Sequence, residues 1–151
     1  MLWVATATDV HAVVAPPAIA PPSATLPSPA VAAWGSGQQV FVALSSSVMH
    51  FDGASWLDEP LPAGAVVRAI GGSSPDDVWA MGNAIYHRRG GVWSTLSLPP
   101  SVLGMTAVWS IAPDDAWAAG SSAGGGTPVS PLFHWDAPSC TSYPAPAIDA
   151  Q

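Results

Sequence analysis

The chain has 151 residues, 49% of them apolar, with 17 Pro, 14 Gly and eight Trp. That is one domain's worth of sequence with apolar material for a core, and its Pro and Gly content excludes an architecture of long helices. Ten acidic residues against three Arg give a formal charge of −7, which repels a phosphate backbone and argues against nucleic acid as a partner.

The first stretch, LWVATATDVHAVV, is half of a repeating unit. Trp3 and His11 stand eight apart, as Trp109 and Trp117 do, and Asp9 falls where Asp115 falls. No basic segment precedes an apolar one here, and no proline-free apolar run is long enough for a spanning helix, so neither a signal peptide nor membrane insertion is expected. Residues Ala15 to Ala30 carry six prolines, which remove backbone donors and favour extended conformation, and they read as a solvated linker.

Three fuller copies follow, spanning 31–65, 66–105 and 106–151 after the half-copy at 1–14 and the linker at 15–30. Corresponding positions are Trp34, Gly71 and Trp109; Phe41, Trp79 and Trp117; His50, His87 and His134; and Trp56, Trp93 and Cys140. The His is six residues before the last of these each time. The first full copy fits the second after a one-residue deletion in its turn, and the third carries an insertion, Ser121 to Ser130. A period of about 40 residues points to propeller blades or solenoid turns.

Each copy encodes four short strands. An opening strand such as Thr106 to Ile111 meets a Pro-Asp-Asp turn, where Asp caps nearby backbone. The second strand, Val78 to Met81 or Ala116 to Ala119, is apolar on both faces, as in a sheet packed between two neighbours. Gly82 and Gly120 are expected to break it. The third strand is expected to end at the His, and Asp52-Gly53 is expected to form a hairpin with positive φ at both residues.

The pieces GSSPDDVWAMG, APDDAWAAG, HFDGASW and FHWD resemble the β-propeller repeats of large bacterial surface and secreted proteins, of the form WGSSPDDVWAVG followed by HWDGxxW, and more distantly the Asp-box and kelch-like propellers. The resemblance implies an all-β fold: about three four-stranded blades plus a half-blade, a segment of a larger propeller from an exported or cell-surface parent. Gly71 for the first Trp, Arg88-Arg89 for the aromatic-Asp pair and Cys140 for the last Trp are departures. Open blade edges would favour self-association.

Residues with chemistry divide into two groups. Trp34, Phe41, His50, Trp56, Asp76, Asp77, Trp79, His87, Trp93, Trp109, Asp114, Asp115, Trp117 and His134 recur by position and are expected to be structural. A three-His metal site or calcium at the paired carboxylates is the sharper reading weighed against this, and no metal or cofactor is expected. Arg88 and Arg89, read as a hairpin tip, and Trp135 are the candidate ligand contacts. Glu59, read as lying in an inter-blade loop, is the only Glu, and two separated carboxylates for glycoside hydrolysis are not found. Ser45-Ser46-Ser47 lacks a nucleophile elbow, and Gly124-Gly125-Gly126 lacks the Lys of a phosphate loop. A non-catalytic scaffold for protein or surface ligands is the expected function. A glycan-binding lectin and an accessory part of a secreted hydrolase are the alternatives.

Overall fold

The structure is a computed structural model describing residues 2–5, 8–13, 24–98, 102–122, 132–136 and 139–143. The glycine run Gly124 to Gly126, most of the Ser121 to Ser130 insertion and the first part of the proline-rich stretch lie outside the described residues. The described residues form fifteen strands and no helix, as the composition leads one to expect. An N-terminal sheet has β1 (Leu2–Ala5), β2 (Asp9–Val13) and β3 (Ala24–Thr25) in that order. Sheet I has β4 (Ala32–Ser36), β5 (Gln39–Ala43), β6 (Ser47–Phe51) and β7 (Trp56–Pro60). Sheet II has β8 (Val67–Ser74), β9 (Asp77–Gly82), β10 (Ile85–Arg89) and β11 (Val92–Leu96). Sheet III has β12 (Val102–Ala112), β13 (Asp115–Ser122), β14 (Leu132–Asp136) and β15 (Ser139–Tyr143). Sheets I to III are antiparallel meanders whose first strands lie side by side, β4 against β8 and β8 against β12.

The second strands explain the stacking. Along β9, Val78 and Ala80 pack toward sheet I with Phe41, Ala43, Val48 and Ile70, while Trp79 and Met81 pack toward sheet III with Met105, Ala116, Ala118 and Phe133. Successive side chains point to opposite faces of a strand, so a run apolar at every position fits only a sheet covered on both sides. All six residues of β9 are buried. In β13 only alternate residues are buried, Ala116, Ala118 and Gly120 among them, since sheet III is covered on the side of sheet II. On sheet I the face opposite to Phe41, made by Val40, Val42, Leu44 and Phe51, closes over Leu26.

The deletion in the first full copy is a missing bulge. Sheets II and III shift register between Gly72 and Ser74 and between Ser110 and Ala112, just before their Pro-Asp turns. Sheet I runs in unbroken register from Trp34 opposite Phe41 to Ser36 opposite Gln39. A bulge places two residues opposite one, so losing it shortens the copy by one residue without moving Trp34 off its partner.

Several local expectations are corrected. The half-copy pairs Trp3 with Ala12 and Val4 with His11, so Trp3 does not face His11 as Trp109 faces Trp117; the register is unbroken among the described pairs. Ala24–Thr25, inside the stretch read as a solvated linker, pairs with β2, and Leu26 is buried. The recurrent His is the fourth residue of β6 and the third of β10 and β14, so the third strands run past it. Gly120 does not end its strand: β13 continues to Ser122, because the longer β12 offers partners as far as Val102. Asp52 does not adopt positive φ. Its Oδ1 accepts from the Ala54 and Ser55 amides, both at 2.8 Å, leaving positive φ to Gly53. The hairpin with two positive φ values is at Gly90-Gly91, 52° and 86°, as a two-residue turn matching strand twist requires.

Candidate functional site

One row of residues repeats across each sheet in strand register: Trp34, Phe41, His50 and Leu57 in sheet I; Gly71, Trp79, His87 and Ser94 in sheet II; Trp109, Trp117, His134 and Thr141 in sheet III. The second-strand aromatic stacks on the His in all three, with ring centroids 4.0, 3.7 and 4.3 Å apart. The His Nε2 then meets the side chain of the residue that opens the second strand: Gln39 at 2.8 Å, Asp77 at 2.7 Å and Asp115 at 2.8 Å. Such an acceptor fixes ring orientation and tautomer. Each His thus ties the third strand to the start of the second through a side chain.

Asp77 extends this tie into the next sheet. Its Oδ1 takes the His87 bond, and its Oδ2 lies 2.6 Å from Ser73 Oγ and 3.1 Å from Ser110 Oγ of sheet III. The turn-capping expectation for Asp77 is therefore corrected: its partners are the side chains of Ser73, His87 and Ser110 and, at 3.5 Å, the Asp114 amide, the last two across the seam. Burial holds the His87 imidazole below its ordinary range and Arg89 adds to this, against the opposing pull of Asp77. Asp77, His87 and Asp114 are the group of described residues whose ligand atoms come close enough for an ion. They fit a hydrogen-bond network instead, because the His87 Nε2–H donates to Asp77 and Asp114 pairs with Arg89. The three recurrent His residues are not brought together; each is held in its own sheet.

The two seams between full sheets differ, and the difference makes the candidate site. Position by position, Glu59 corresponds to Leu96, and Arg88 to Trp135. In the seam between sheets I and II, Arg88 Nε and Nη2 each donate to Glu59 at 2.9 Å, and its Nη1 donates to the Pro75 carbonyl at 2.6 Å. The guanidinium lies 5.2 Å from the Phe41 ring centroid. Glu59 also accepts from His50 Nδ1 at 2.9 Å and from Trp93 Nε1 at 2.6 Å. Burial alone would raise the Glu59 carboxyl, but the bonds from His50, Arg88 and Trp93 outweigh it and lower the group to about 2. Side-chain bonds therefore bridge this seam.

In the seam between sheets II and III, neither Leu96 nor Trp135 can make such a pair, and a cleft of about 270 Å³ remains. Trp79, His87, Leu96 and Trp135 form its walls, with Arg89, Ser94 and Asp114 completing the lining. Trp135 lies 6.3 Å from Trp79, ring planes tilted by 55°. Arg89 of sheet II and Asp114 of sheet III pair directly at the rim, their side chains 58% and 35% exposed. Asp114 has φ of 65°, the conformation needed at the third position of a Pro-initiated type II turn, and this turn brings its carboxylate to the seam. Trp79 is 1% exposed, and its Nε1–H is the buried side-chain donor without a partner among the described residues.

Comparison with family models, with curated protein sequences and with solved structures yields no match.

Of the three candidate ligand contacts, Arg89 and Trp135 line the cleft, while Arg88 does not. Arg88 is 7% exposed with all three guanidinium nitrogens bonded within the protein, so the hairpin-tip reading is corrected; the tip itself is Gly90-Gly91. Glu59 lies in β7, not in a loop, and is the hub of the first seam. Sequence reasoning missed Ser94 and Leu96 as cleft residues. The available signal was a paired departure: a Glu and an Arg stand where the next copy has Leu96 and Trp135.

Proposed function

We propose that this chain is a β-propeller-type repeat segment acting as a non-catalytic scaffold, with sheets I to III as successive blades and the cleft between the second and third as its ligand-facing feature. The observation that carries this reading is that each recurring His is held by a side chain at the start of its own second strand, Gln39, Asp77 or Asp115, while the seam where Leu96 and Trp135 replace the Glu59–Arg88 pair keeps an open cleft. The side-by-side first strands and the two-faced apolar second strands support the blade arrangement. The resemblance to repeats of bacterial surface and secreted proteins supports an exported or cell-surface parent.

A turnover screen of the purified chain against chromogenic glycosides, esters and peptides tests the non-catalytic part. No turnover is expected. Reproducible turnover that disappears in His87→Gln or Asp114→Asn overturns it and favours the hydrolase reading.

A further inference from the structure

We propose that the cleft between sheets II and III binds a neutral, polyhydroxylated ring, that is, a single carbohydrate residue; this deepens the scaffold reading and rests on it. Four observations lead there.

The first is the contrast with the other seam. The same two sheet positions hold an internal Arg88–Glu59 pair between sheets I and II, and Leu96 and Trp135 between sheets II and III, where about 270 Å³ stays open. Ligand pockets of roughly 300–1,000 Å³ hold drug-sized molecules, so this volume suits one ring.

The second is Trp79, which lines the cleft and whose Nε1–H, itself buried, has no acceptor among the described residues. Leaving a buried donor unpaired costs about 1–3 kcal/mol. A hydroxyl or ring oxygen supplies the acceptor.

The third is charge. Arg89 and Asp114 neutralise each other at the rim, so the site offers no net charge to an ionic ligand, and the chain's net charge of −7 disfavours an anion. An Arg–carboxylate pair presents planar donors next to planar acceptors. Adjacent hydroxyls, each a donor and an acceptor, match both at once.

The fourth is the apolar remainder. Trp135 is half-buried and Leu96 stands beside it. An aromatic surface that is partly exposed buries the C–H face of a ring that is polar only along its edge.

The test uses the indole N–H cross-peaks of the 15N-labelled chain, with the Trp79 peak assigned through Trp79→Phe. Titration to about 50 mM with neutral mono- and disaccharides is expected to shift that peak for at least one sugar. Trp135→Ala and Asp114→Asn are each expected to weaken binding about tenfold, the first by loss of the aromatic face and the second by loss of a bond to a charged group. Trp109→Ser, on the far side of sheet III, is expected to leave it unchanged. Both rim and wall variants are checked by thermal unfolding, and Arg89→Gln serves in place of any that fails to fold. Silence of the Trp79 peak to every neutral sugar overturns the assignment, as does binding that survives both Trp135→Ala and Asp114→Asn. Equal binding of glucuronic acid or glucosamine overturns the neutral part. A peptide that moves the peak while sugars do not overturns the carbohydrate assignment and leaves the scaffold reading standing, whereas turnover in the screen above removes that reading too.

Discussion

Replacing Glu59 with Gln tests whether the first seam is held by charge. The substitution keeps an acceptor oxygen and removes the anion, leaving Arg88, whose side chain is 9% exposed, without its counter-charge. A carboxyl lowered from its ordinary 4.5 to about 2 contributes, at about 1.4 kcal/mol per pH unit of separation, about 3 kcal/mol. Glu59's side chain is 14% exposed, and solvent screening trims this to about 2–3 kcal/mol. For a chain of this size that is roughly 5–10 °C in Tm. The sign follows from the direction: the folded state holds the proton less tightly than the unfolded one, so the stabilisation is full above pH 4.5 and disappears as pH falls toward 2. Urea unfolding of wild type and Glu59→Gln at several pH values should therefore show a gap of about 2–3 kcal/mol at pH 7 that closes toward pH 2. A gap below about 0.5 kcal/mol at pH 7, or one that does not narrow in acid, refutes the reasoning.

Three further outcomes are expected. Asp77→Ala, which strands His87 and Ser73 and removes the Ser110 bond across the seam, should cost about 2–4 kcal/mol, and Asp115→Ala, whose side chain is 35% exposed, about 1 kcal/mol or less; equal costs in urea titrations would contradict the assigned roles. His87 should titrate below 6.5 in an NMR pH series, since burial disfavours its charged form; stability should decline as pH falls below about 6.5, less so in His87→Gln. Adding a side chain at Gly72 should cost about 1–3 kcal/mol, because a Cβ there would lie 2.5 Å from the Asp77 carbonyl oxygen and 3.0 Å from the Trp34 ring; an unchanged Tm in Gly72→Ala would show that both the β8–β9 backbone and Trp34 give way freely.

Much of the architecture was legible because it is periodic. The aligned positions Trp34, Phe41 and His50 are true register partners, so linear spacing translated directly into cross-strand geometry. The missing residue in the first full copy was visible too, although only the register shows it to be a bulge. The site was less legible, because its contacts join different copies. Glu59 and Arg88 are 29 residues apart, and a Glu beside a proline carries no local sign that a strand will turn it toward a buried guanidinium. Asp114 likewise looked like Asp76, yet the structure gives positive φ to Asp114 alone among the described non-glycine residues, and only Asp114 reaches a cleft.

The unequal seams also set the order in which the molecule comes apart. When stacked units touch only their neighbours, stability is close to a sum over interfaces, and cooperativity is limited by the weakest of them. Both seams have apolar contacts; to these, sheets I and II add a buried ion pair and an indole bond to it, and sheets II and III the Ser110 and Asp114 amide bonds to Asp77 and an exposed pair beside a cavity. Sheet III is therefore the unit that peels away first under denaturant or force, and amides of β13 should exchange with solvent ahead of those of β9. A ligand seated in that cleft would act as a clasp, raising the resistance of the last sheet to release without altering how the first two hold together.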